Sequence, residues 1–243
     1  MNSSARRACV LIPARNESAR IADTVRAASA LAGICDVIVI DDASTDDTAA
    51  LAREAGAVQV VRLERNLGKG GALDEGFKHC FSPVILMLDG DLGESASLAQ
   101  ALLDPVLAGE CDMTVAVFPE LVERGARTGG GGFGLALKLA RRGIRLLTGC
   151  ELAAPLSGQR ALDRRIVEGM GGFGHGFSVE TCLSGWAAAG GWRVREVPVA
   201  MKHRRTGKDL AGMRHRARQL MHIARGLVWV AFNRGKARRA ADV

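Results

Sequence analysis

Val84-Ile-Leu-Met-Leu-Asp89-Gly90-Asp91-Leu-Gly-Glu94 is the stretch on which the reading of the chain turns. An unbroken apolar run, Val84 to Leu88, ends in two aspartates that flank a glycine. Such a run fits a strand buried on both faces of a parallel sheet. Strands of this kind present functional groups at their carboxyl ends, where open α/β sheets bind ligands. Two carboxylates so spaced can converge on one divalent cation. Mg²⁺ or Mn²⁺ takes one or two protein carboxylates and completes its shell with phosphate oxygens. An acidic strand-to-turn junction with no ligand would look the same, so the flanking sequence decides.

Upstream, Ala8 to Ile12 reads as a first strand, followed by Pro13-Ala14-Arg15-Asn16-Glu17. A helix carrying Ile21, Val25, Ala28 and Leu31 on one face comes next. Val37 to Ile40 reads as a second strand ending in Asp41-Asp42-Ala43-Ser44-Thr45-Asp46-Asp47, and a helix then runs to Ala55. Val58 to Leu63 is a third strand, and Asn66-Leu67-Gly68-Lys69-Gly70-Gly71 leads into a helix through Cys80. Downstream lie a helix from Ser95 to Leu107 and a strand from Met113 to Phe118. Alternating strands and helices predict βαβ units with right-handed crossovers. The polar clusters that follow the strands then gather on one rim.

The later sequence is less regular. Thr128 to Gly134 is a glycine loop, and Leu135 to Leu147 an amphipathic helix. Pro155-Leu-Ser157-Gly158-Gln159-Arg160 is expected to open a short helix. Gly169 to Gly176 forms a second glycine-rich bend, Phe177 to Ala189 a helix containing Glu180, and Val194 to Val199 a late strand. Asp209 to Phe232 reads as a long basic helix. The expected architecture is α/β, with a mostly parallel central sheet flanked by helices. One domain covers 1–207, split into a nucleotide half, 1–120, and an acceptor half, 121–207; 208–243 is a basic appendage.

Composition agrees with a globular chain: 48% hydrophobic and 24% charged residues in 243. The six cysteines form no Cys-x-x-Cys pair, which favours reduced, buried thiols in a cytoplasmic setting over a zinc site or disulfide scaffold. No apolar run is long enough for a signal-peptide core or a membrane span. The net charge of +7 is uneven: residues 201–243 carry 12 Lys or Arg against 2 Asp or Glu. A basic tail suits phosphates, an anionic membrane surface or nucleic acid, and it also suits plain solvation. Nucleic acid is disfavoured, because the acidic rim would repel its phosphates.

Several motifs have plainer readings. Gly129, Gly131, Gly134 and Gly169, Gly171, Gly174 match the dinucleotide spacing, but neither set follows a clear strand. Gly68-Lys69-Gly70 lacks the P-loop spacing. Ser44 or Thr45 can cap the following helix, which accounts for part of the acidic cluster but not for all of it. Lys69, at a glycine-rich helix start, suits a phosphate. His203, just after a strand, could return to the rim and complete a metal site begun by Asp91.

Taken in order, Pro13-Ala-Arg-Asn-Glu17, Asp41-Asp42-Ala-Ser44-Thr-Asp46, Asn66-Leu-Gly-Lys69-Gly and Asp89-Gly-Asp91 resemble family 2 glycosyltransferases of GT-A fold. That resemblance implies a nucleotide-sugar site formed by Pro13, Ala14, Arg15, Glu17, Asp42, Ser44, Lys69, Asp89 and Gly90. It implies Mg²⁺ or Mn²⁺ held by Asp91 and His203, and catalytic roles for Asp91 and Glu180. The second half resembles glucosyl-3-phosphoglycerate synthases through Thr128 to Gly132, Pro155 to Gly158, Gly174 to Glu180 and His203-Arg204. It is also similar to dolichol- or polyprenyl-phosphate sugar transferases through Ser157 to Arg160 and Glu180. The implied acceptor set is Gly131, Ser157, Gly158, Arg160 and Arg204. Phe133, Gly134 and Leu135 depart from the Arg, Val and Thr of the synthases, so the acceptor is not fixed by the resemblance.

The expected activity is metal-dependent transfer of a hexose from a nucleoside diphosphate sugar, UDP-glucose-like, to a small phosphorylated or lipid-phosphate acceptor. The alternative is a catalytically silent nucleotide-sugar-binding or regulatory protein. A sugar nucleotidyltransferase would carry a glycine-rich loop where Pro13-Ala-Arg-Asn-Glu17 stands. Trp229 and Phe232 on the basic helix suit peripheral contact with the inner face of a membrane, or packing onto the domain or a second subunit.

Overall fold

Period-two burial builds the sheet. In Ala8–Ala14 (β1), Val10 and Ile12 pack on one face while Cys9 and Leu11 pack on the other. Helix α1 spans Ile21–Ser29. In Ile34–Asp41 (β2), Val37 and Val39 meet the first layer, and Ile38 and Ile40 the second. Then follow α2 (Thr48–Glu54), β3 (Gln59–Arg62), α3 (Gly68–Phe77) and β4 (Val84–Met87), whose four residues are all buried. A 3₁₀ segment, Gly93–Ala99, continues into α4 (Gln100–Leu107), and β5 is Met113–Val117. The remaining elements are α5 (Gly132–Thr148), β6 (Arg160–Asp163), α6 (Arg164–Met170), α7 (Val179–Gly190), β7 (Val194–Pro198) and α8 (Leu210–Ala241). This computed structural model describes residues 6–118, 132–174, 179–201 and 210–241.

The seven strands lie in the order β3-β2-β1-β4-β6-β5-β7. All neighbours pair in parallel except β6, which runs antiparallel to both β4 and β5. Helices α1, α2 and α4 bury their apolar sides on one face of the sheet, and α3, α6 and α7 on the other. The expected mostly parallel α/β sheet is therefore present.

Two expectations are corrected. The short helix foreseen from residue 155 is instead a loop and then β6, with the helix starting only at Arg164. Arg160-Ala-Leu-Asp163 offers too brief and too polar a pattern to read as a strand, yet all four residues are buried between β4 and β5. Asp163 then caps α6, accepting a hydrogen bond from the Arg165 N–H. The basic helix also runs past Phe232 to Ala241. Among the described residues, no helix is long and apolar enough to cross a membrane. All six cysteines are free, and four are buried.

Candidate functional site

β1 sends the chain outward to β2 on one side, and its other neighbour is β4. This is the point where strand order reverses, and the carboxyl ends of β1, β2 and β4 open onto a crevice there. Pro13, Ala14, Arg15, Glu17, Asp42, Ser44, Asp89, Gly90 and Asp91 all lie on or just beyond these ends.

The first two loops are stitched together. Asn16 N donates to Ser44 Oγ at 3.0 Å, Glu17 N to Thr48 Oγ1 at 2.9 Å, and Thr45 N to Asn16 Oδ1 at 2.9 Å. Ser18 N donates to Asp46 Oδ2 at 3.2 Å. Burial works against ionisation of Asp46, but its hydrogen bonds from Thr48 and Ser18 prevail and hold its carboxyl at about 2. Asn16 and Ala43 adopt φ of 54° and 57°, a left-handed conformation that alanine rarely takes. Such strain persists where surrounding contacts over-determine it, and it concentrates at ligand sites.

Asp42 ties in the third loop. Its carboxylate accepts from Leu67 N at 2.6 Å and Gly68 N at 2.9 Å, at the start of α3. Each carboxylate oxygen has a second lone pair, so this tie leaves capacity for a ligand N–H or hydroxyl.

The polar centre gathers around Lys69. Its ammonium lies 2.6 Å from Asp89 Oδ1 and 2.8 Å from Glu180 Oε1. Burial alone would lower the lysine pKa, but the two carboxylates overrule it and raise the pKa, keeping Lys69 charged. Gln159 Nε2 donates to the other oxygen of Asp89 at 2.6 Å. Gly158 makes the close approach possible: a Cβ there would stand 2.5 Å from Lys69 Nζ and 2.9 Å from Asp89 Oδ2. Beyond Asp89, Thr24 of α1 clamps the loop by donating to Gly90 O at 3.0 Å and accepting from Gly93 N at 2.8 Å. Arg20 adds a bond to Asp91 O at 3.3 Å.

Glu180 reaches Lys69 because the glycine bend after α6 lies directly on α3. A Cβ on Gly70 would be 2.0 Å from Gly174 O, and Asp74 accepts from Phe173 N at 2.6 Å. The bend follows a helix and not a strand, in keeping with its rejection as a dinucleotide loop.

The opposite wall is the loop before β6. The Glu196 carboxylate accepts from Ala153 N at 2.8 Å and Ala154 N at 2.6 Å, while Arg141 Nε donates to Ala153 O at 2.8 Å. Arg160 donates to Ser157 O and Pro155 O, each at 2.7 Å, and to Ser184 Oγ at 2.9 Å. Its side chain is wholly buried, and burial pulls its pKa down to about 10 against the pull of Glu180 and Glu196. Arg160, expected on the acceptor side, spends its guanidinium donors within the protein and braces this wall from behind. Ser157 Oγ and Gln159 Oε1 are buried with no hydrogen-bond partner among the described residues, so this wall holds polar atoms that a ligand would satisfy.

Gly131, His203 and Arg204 lie outside the described residues. Among the described residues, no three His, Cys, Asp or Glu side chains group as metal ligands. Lys69 and Gln159 engage the two Asp89 oxygens, while Asp91, just beyond β4, carries the hard carboxylate that Mg²⁺ or Mn²⁺ takes beside a substrate phosphate, so Asp91 fits such an ion. Gln159, Thr24, Asp74 and Glu196 were missed as site residues. Only Gln159 carried a signal, its place beside Ser157-Gly158.

A family model described as Glycosyl transferase family 2 matches residues 9–167. Glycosyltransferase AglJ of Haloferax volcanii is 34% identical over 206 residues, covering 83% of this chain and 65% of that protein. Glucosyl-3-phosphoglycerate synthase of Mycobacterium tuberculosis is 32% identical over 192 residues, 72% of this chain and 58% of the synthase. The chain thus spans less than two thirds of either relative's length. A crystal structure of the M. tuberculosis synthase with Mn²⁺, uridine-diphosphate-glucose and phosphoglyceric acid superposes with a TM-score of 0.69 at 26% identity. It covers 91% of this chain and 80% of that one.

Proposed function

The chain belongs to glycosyl transferase family 2, and from that premise we propose that it moves a hexose from a nucleoside diphosphate sugar to a phosphorylated acceptor. A UDP-glucose-type donor is favoured, because the synthase of the superposed structure was solved with that molecule and Mn²⁺. The observation that carries the reading is the Lys69, Asp89 and Glu180 cluster, set at the switch point of the sheet beside Asp91.

Pro13, Ala14, Arg15, Glu17, Asp42, Ser44 and Gly90 form the nucleotide side of the crevice. Asp42 accepts from the base or ribose with its remaining lone pairs. Asp89 faces the nucleotide sugar. Asp91 with His203 would hold Mg²⁺ or Mn²⁺, which supplies positive charge at the diphosphate of the leaving group. Lys69 adds its own charge where negative charge develops as the glycosidic bond breaks. Gly131, Ser157, Gly158 and Arg204 make the acceptor side, and Arg160 sets the shape of that wall. Glu180 takes the proton from an acceptor hydroxyl, or orients the acceptor when its nucleophile is an ionised phosphate.

A donor screen with Mg²⁺ or Mn²⁺ against phosphoglycerate and polyprenyl phosphate, with the product anomer read by NMR, tests the reading. Transfer is expected with at least one pair, and Asp91→Ala is expected to abolish it. Tight donor binding with neither transfer nor donor hydrolysis would instead mark a silent nucleotide-sugar-binding protein.

A further inference from the structure

We infer that the outer faces of α5 and α8 together form a surface that seats the protein on an anionic lipid bilayer. Ten large apolar side chains are exposed among the described residues, and six of them lie on these two helices. Leu135, Leu139 and Leu146 fall on one stripe of α5, and Met221, Val228 and Phe232 on one stripe of α8. Leu146 and Phe232 are each 85% exposed. Apolar stripes left in water in this way mark an interaction surface.

The charges on the same faces choose the partner. Exposed Lys138, Arg142 and Arg145 interleave with the leucines of α5, and exposed Arg225, Lys236 and Arg239 share the open face of α8. Neither helix contains an aspartate or glutamate. Beyond α5, exposed Glu151 pairs with Arg145 at 3.0 Å. Apolar side chains flanked by cations suit the boundary between anionic headgroups and acyl chains. A second copy docking through the same face would set cations against cations, which opposes a symmetric dimer there.

The two helices act as one plate. Ala136 and Ala140 of α5 are buried against Ile223 of α8. Gly143 admits Leu227, whose Cδ1 would lie 2.3 Å from any Cβ at that position. Arg234 Nη1 donates to Leu147 O at 3.1 Å. The plate also reaches the acceptor wall, because Arg141 of α5 holds Ala153 O. The seating itself depends on no step of the proposed reaction.

The test is co-sedimentation of the full chain with phosphatidylcholine vesicles, with and without phosphatidylglycerol, at low and high salt. Binding only to the anionic vesicles, lost as salt rises, is expected, with a blue shift of tryptophan emission. Leu146→Ser with Phe232→Ser should weaken partition at least about tenfold, and Arg142→Glu with Lys236→Glu should do likewise. Both pairs should leave the thermal melt and UDP affinity unchanged, which separates loss of seating from loss of the nucleotide site. No sedimentation with anionic vesicles at low salt overturns the inference. So does a dimer, seen by light scattering, that the Leu146→Ser and Phe232→Ser pair dissociates and that ignores vesicles.

Discussion

Lys69 Nζ stands 2.8 Å from Glu180 Oε1, which joins the first turn of α3 to the first turn of α7. The same ammonium holds Asp89 at 2.6 Å. One cation therefore separates two carboxylates that come from different halves of the chain. Lys69→Met should leave those carboxylates facing each other and, under the proposed transfer, remove positive charge beside the leaving group. Turnover is expected to fall about 10²- to 10³-fold, with weaker UDP binding by calorimetry. Glu180→Gln keeps the Lys69–Asp89 pair, so UDP affinity should hold while kcat falls. Equal losses of UDP affinity in both variants would refute separate roles.

Gly158→Ala tests the tightness of this centre. The new methyl would sit 2.5 Å from Lys69 Nζ, so the lysine or the loop must move. The lysine tip can shift, so the melt should change little, while kcat/KM drops at least about tenfold from the misplaced charge. Activity at the wild-type level would mean that Lys69 does not need this position.

Gly70→Ala should behave in the opposite way. Its methyl meets the backbone oxygen of Gly174 at 2.0 Å, and a carbonyl cannot swing aside as a lysine tip can. A stability loss of about 2–3 kcal/mol is expected from urea unfolding. Gly235→Ala is the control: a Cβ there has nothing within 4 Å, and its helix should gain up to about 1 kcal/mol.

Asp163 predicts a pH dependence. Burial raises its pKa, but bonds from Arg165 and Arg6 outweigh burial and lower it below the ordinary aspartate value. A carboxylate whose folded pKa is depressed adds stability above its unfolded pKa, near ~3.9, and loses it as pH falls through the lower folded value. Asp163→Asn should cost about 2–3 kcal/mol at neutral pH, since Arg6 and Arg165 lose a buried partner and α6 its ionised cap. Its stability should then fall less steeply than the wild type's below about pH 4. Parallel acid limbs for the two proteins would sink this account.

The polar rim beyond β1, β2 and β4 is legible in the sequence because its residues follow apolar runs. A strand and its polar end, such as Val84 to Asp91, are local facts that periodicity can reach. The other wall is not. Arg160 looks like a ligand-facing cation, because arginine is almost never fully buried, and only tertiary contacts reveal that its donors go to Pro155, Ser157 and Ser184. For Gln159 the sequence offers only its place beside Ser157-Gly158, because its value lies in a bond to Asp89, far away in sequence. Asp42, expected from the sequence to bind the nucleotide, anchors Leu67 and Gly68, a tie that no spacing discloses.

The reversed strand β6 also sets an order of assembly. β5 precedes β6 in the chain, yet its neighbours in the sheet are β6 and β7, both of which come later. The strands through β4 can pair from contiguous sequence, whereas β5 must wait for residues 160–163 to wedge between it and β4. Such non-local pairing is the slow part of folding. Gly158 and Gln159 arrive on that wedge, so the crevice closes when the sheet does. A nascent chain halted before Gln159 would carry the Lys69–Asp89 pair without the amide that holds the second oxygen of Asp89.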